Sequence, residues 1–179
     1  MKNFKLFMLF ALVACVSLFG FSSCGGDDDD DDGGSSKKAS KLEVSYQYTF
    51  SADFLSIADV KIAYYDASGT LQTETVSGTT WTKSVTYTTF PAEVGTKVTA
   101  TQKSVSLTKD QYAVSWTTNN VLKGYYADGT NAETKKYSTS QKLSVNKAKV
   151  ADFFKKGFDF GSFMANVSLS SDKTKFIFE

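Results

Sequence analysis

Cys24, followed two glycines later by the six consecutive aspartates Asp27 to Asp32, is the residue whose type and setting point most directly to chemistry. A cysteine behind an apolar run and the small residues Ser22 and Ser23 suits acylation of its sulfur, with cleavage just ahead of it. Cys15, after Leu12-Val13-Ala14, is a rival position, but cleavage there would leave Val16 to Phe21 as an apolar mature terminus. Within the acidic run, Asp28, Asp30, Asp32 and Gly33 match the first half of an EF-hand loop. The twelfth position is Ala39, where a bidentate glutamate is required, so no metal site is expected.

The remaining chemistry is bounded by what the chain lacks. It contains no histidine, its twenty basic residues are all lysine, and its two cysteines both lie in the first 24 residues. Those absences remove the commonest general base, thiol catalysis, cysteine and histidine zinc sites, and bidentate arginine recognition of phosphate or guanine. Paired carboxylates, a Ser-Lys dyad or a tyrosine nucleophile survive as routes to catalysis. Ser-x-x-Lys recurs at Ser35, Ser106, Ser144 and Ser170 without any companion motif, and Asp159-Phe160-Gly161 copies a kinase triplet with no glycine-rich loop. The acids Asp66, Glu93, Asp110, Asp128 and Asp172 fall at turns or on polar faces, where turn chemistry and solvation account for them. Neither an enzyme nor a cofactor is expected.

Setting aside Lys2, Lys5 and the six aspartates leaves 18 lysines against 13 acidic residues. The lysines are scattered, with no basic stripe, so nucleic acid is not an expected partner.

Lys2 and Lys5 precede an apolar run from Leu6 to Phe21, too short for a membrane-spanning helix and arranged as a secretory leader. The expected organisation is a leader over residues 1–23, an acidic, Gly- and Ser-rich tether over 24–40, and one domain over 41–179. Two or three acyl chains on Cys24 would hold the chain firmly in a bilayer, whereas one holds only marginally. A lipidated cysteine followed closely by an acidic run resembles the surface lipoproteins of the Bacteroidota. The resemblance covers residues 1–36, and it implies anchoring in the outer membrane with the domain facing the cell exterior.

The domain must then position whatever side chains do the work. Leu42, Val44, Tyr46, Tyr48 and Phe50 alternate with polar residues, the period of a half-buried strand. Similar patterns over 60–65, 71–76, 81–89, 97–103, 111–117, 121–126 and 137–145 predict seven further strands. Asp66-Ala67-Ser68-Gly69 and Ala127-Asp128-Gly129 predict hairpin tips. One helix of about three turns is expected between a cap at Asn146 and a stop at Gly157, followed by a C-terminal hairpin through 163–169 and 176–178.

These elements predict an all-β fold: an immunoglobulin-like antiparallel β-sandwich with one short helix in its C-terminal half, or alternatively a lipocalin-like β-barrel. Trp81 and Trp116 share strand faces with apolar residues and are expected in the core. Tyr65 lies on the outward face of its strand, and the doublet Tyr125-Tyr126 must turn one ring outward. Tyr65 and Tyr126 are therefore the candidate ligand-binding residues. The expected role is a non-catalytic binding or adhesion module for a glycan or protein at the cell surface. A self-assembling envelope or fimbria-like component and a small-ligand carrier are the alternatives.

Overall fold

A computed structural model of the protein describes residues 36–179, so the expectations for the leader, for Cys15 and Cys24 and for Asp27 to Asp32 lie outside the described residues. The alternation around Tyr46 becomes β1, Ala39–Phe50. Its apolar residues from Leu42 to Phe50 all face inward and are at most 1% exposed. The chain continues through α1 (Ala52–Ile57), β2 (Ala58–Tyr65), β3 (Leu71–Thr75), β4 (Thr80–Tyr87), β5 (Ala92–Gln102), β6 (Gln111–Tyr126) and β7 (Asn131–Asn146). A 3-10 turn (Lys147–Lys149), α2 (Val150–Lys155), β8 (Phe163–Leu169) and β9 (Phe176–Phe178) complete it.

The strands form two antiparallel sheets, β4-β1-β6-β7 and β3-β2-β5-β8-β9, and neither closes on itself. The all-β sandwich is therefore the fold, and the lipocalin-like barrel is not. Side chains from the two inner faces interlock into one core that contains both Trp81 and Trp116. The expected tips are present: Asp66 accepts hydrogen bonds from the amides of Ser68 and Thr70, and Asp128 accepts from the amide of Thr130.

Three departures from the sequence pattern have physical causes. The strands expected at 111–117 and 121–126 are one continuous β6, because Thr118 and Asn120 point into the core and are 2% and 1% exposed. Thr118 is satisfied there by the hydroxyl of Thr139 on β7 at 3.0 Å, so an inward polar residue does not end the strand. The expected three-turn helix is shorter: Asn146 caps the 3-10 turn by accepting from the Ala148 amide, and the α-helical part is six residues. α1 was not expected at all, although Ser51 caps it by accepting from the Phe54 amide.

The edge strands β3 and β4 are joined across the sandwich by Glu74. Its carboxylate accepts from Tyr64 Oη (2.9 Å), Trp81 Nε1 (2.8 Å) and Lys83 Nζ (2.7 Å). The Lys83 hydrogen bond, followed by that of Trp81, holds the Glu74 carboxyl below its ordinary value. A carboxylate with a depressed folded-state pKa contributes stability above the ordinary glutamate value of about 4.3, and that contribution is lost as pH falls through the folded pKa. Urea midpoints measured at pH 7 and pH 3 should therefore differ less in Glu74→Gln than in the unaltered chain. An equal difference in both would show that the Glu74 bridge contributes nothing to acid sensitivity.

Candidate functional site

Strand order brings together on one outer face what the sequence keeps apart. β2, β5 and β8 lie side by side, with β3 outside β2. Their registers pair Tyr65 with Leu71, Tyr64 with Thr96, and Gly95 with Met164. A row Leu71, Tyr65, Gly95, Met164 therefore crosses four strands, all on the face opposite the core. Leu71 and Met164 are 56% and 55% exposed, and Met164 Sδ lies over the bare Gly95, 2.8 Å from where a Cβ would sit.

This row borders a groove of about 750 Å³ that runs toward α2 and the segment 157–162. At that end its walls are Phe154 and Phe158, both half-buried. These rings are fixed from behind: Phe154 stacks on Phe54 with centroids 6.3 Å apart, and Phe158 stacks on Phe153 at 4.8 Å. Asp159 Oδ1 accepts from the amides of Gly161 and Ser162, while Ser162 Oγ accepts from the Val98 amide of β5. That chain of bonds pins the loop to the sheet and leaves Asp159 Oδ2 without a hydrogen-bond partner among the described residues. Lys97 and Thr99 supply the polar floor.

Of the two candidate tyrosines, Tyr65 lines this groove and Tyr126 does not. The Glu93 carboxylate beside Tyr65 pushes the phenol above its ordinary value. Tyr126 ends β6 in the other sheet, half-buried, with Lys37 Nζ 5.9 Å from its ring centre. The two residues do not form a common site.

Asp159 is the one carboxylate among the lining residues, whereas glycoside cleavage by the usual mechanism needs two. Among the described residues no group of three or more acidic, cysteine or histidine side chains could hold a metal ion. None of their helices is long and apolar enough to cross a membrane.

Comparison with protein-family models, with curated proteins and with solved structures gave no match.

Proposed function

We propose that this chain is a non-catalytic, glycan-binding module held at the outer membrane by lipid on Cys24, with the groove as its binding face turned to the cell exterior. The observation that carries the reading is the lining of the groove: four aromatic residues, Tyr65, Phe154, Phe158 and the more deeply buried Phe160, interleaved with Lys97, Thr99, Asp159 and Ser162. A sugar ring offers an apolar C–H face and a rim of hydroxyls. Fixed aromatic surfaces with a few polar groups between them suit that pattern. The groove is open along the sheet, as a chain-like ligand requires.

A second reading, self-assembly into a larger structure, draws on β7. This strand is sixteen residues long and pairs on one side alone, with β6. Lys135, Lys136 and Lys142 lie along it, and edge lysines oppose strand-to-strand association. The glycan reading is accordingly preferred.

Full-length chain in detergent, applied to a glycan array, should bind a subset of glycans. Tyr65→Ala should weaken that binding about tenfold, by loss of one stacking ring. Tyr126→Ala should bind like the unaltered chain. Equal binding by Tyr65→Ala would remove the groove as the site, and silence across the array would transfer the role to a protein ligand.

A further inference from the structure

We propose that the ligand is an anionic glycan, whose carboxylate or sulfate is seated between Lys61 and Lys97. This rests on the glycan reading of the groove. Lys61 on β2 faces Thr99, and Ala63, two residues on, faces Lys97 of β5, so the two lysines are diagonal neighbours on adjacent strands. Both are exposed and alternate with inward-facing Val60, Ile62, Thr96 and Val98, which places them on the outer face with the groove. Diagonal side chains of this length reach one another, and like charges so placed repel.

Among the described residues neither lysine has an acidic oxygen within 4.0 Å, unlike Lys103, which lies 3.8 Å from Asp59. Asp159, the one carboxylate in the groove lining, commits Oδ1 to two backbone amides. An anion held between the two amines would relieve their repulsion and accept charge-assisted hydrogen bonds from both. It would do so at the border of an aromatic groove that takes the sugar ring. A neutral glycan would fill the groove and leave the two charges unpaired.

Calorimetric titration of the full-length chain in detergent tests this with three tetrasaccharides: a uronate, a sulfated chain, and the carboxyl-reduced, neutral counterpart of the uronate. At low salt one or both anionic probes should bind about tenfold more tightly than the neutral one, and 0.5 M salt should largely abolish the difference. Lys61→Gln, which lies beside the groove and not in its lining, should lose most of the preference and keep its affinity for the neutral probe. Whichever anion binds more tightly identifies the group that occupies the site. If neutral and anionic probes bind equally, or the full preference survives in Lys61→Gln, the anion site is overturned while the glycan reading stands. If none of the three binds and the array is also silent, both fall together.

Discussion

Phe54→Ala is expected to lower the unfolding free energy by about 3–5 kcal/mol, the range for truncating a fully buried phenylalanine. Phe54 is 0% exposed, and five aromatic rings surround it: Phe50 at 5.9 Å, Trp116 at 6.4 Å, Phe153 at 6.5 Å, Phe154 at 6.3 Å and Phe160 at 5.2 Å. The cavity left by the ring would be walled on two sides by strands β1 and β6, which hydrogen bonds to their neighbours hold in place. Collapse into the cavity is therefore limited, and the loss should fall in the upper half of the range. A second effect adds to the first. α1 is six residues long, too short to persist without tertiary contacts, and Phe54 is one of its two buried side chains. Urea unfolding followed by the fluorescence of Trp81 and Trp116 would measure the loss. A change below about 1.5 kcal/mol would mean that the cluster repacks around the vacancy and that Phe54 does not anchor the helical end of the sandwich.

Much of this architecture is legible in the sequence because one face of most strands is buried. A period-two pattern appears wherever a strand has a dry side and a wet side, as in β1, where Leu42 to Phe50 alternate with Glu43 to Thr49. The Asp-x-x-Gly and Asp-Gly tips are legible because an aspartate that caps its own turn and a glycine at positive φ are local requirements. The pattern fails where the environment is not local. Thr118 and Asn120 look like an interruption of β6 because they are polar at inward positions; nothing nearby in sequence shows that Thr139 will supply Thr118 with a partner from the next strand, and Asn120 Oδ1 is buried with no partner among the described residues. α1 is too short to establish a 3.6-residue period, although the pair Ser51 and Asp53 is an N-terminal signal.

The groove was less legible than the fold. Tyr65 could be placed on an outward face from its own strand alone. Leu71 and Met164 could not be joined to it, since their adjacency depends on β2 lying between β3 and β5, and on β8 lying beyond β5. Phe154 belongs to the apolar stripe of the short helix, yet part of its ring is turned into the groove. Asp159-Phe160-Gly161, whose likeness to a kinase triplet is one of sequence alone, divides its work. Phe160 is 3% exposed in the aromatic cluster, Asp159 fastens the loop, and the Gly161 carbonyl accepts from the Tyr48 hydroxyl at 2.9 Å.

Gly95→Ala should be comparably disruptive to Phe54→Ala, although it adds one methyl group and removes nothing. A Cβ at this position would lie 2.2 Å from the Phe163 carbonyl oxygen and 2.8 Å from Met164 Cα, both backbone atoms of β8. A side chain could rotate away from such a contact. A backbone strand paired from Phe163 to Val167 with β5 cannot, so the clash must be relieved by separating the two strands. The glycine also sits at φ +155°, a conformation that residues with a Cβ rarely adopt. Overpacking and backbone strain together imply a loss of about 3–5 kcal/mol. Gly69→Ala is the matched control: φ there is +78° and a Cβ would meet nothing within 4 Å, so only the left-handed backbone penalty of about 1–2 kcal/mol applies. A loss in Gly95→Ala no larger than in Gly69→Ala would show that β8 can move outward freely. Rigidity at this point bears on binding as well as folding. The close approach that excludes a side chain at Gly95 also holds Met164 of β8 beside Gly95 in the groove lining, so separating the two strands would disturb the groove as well as the sheet.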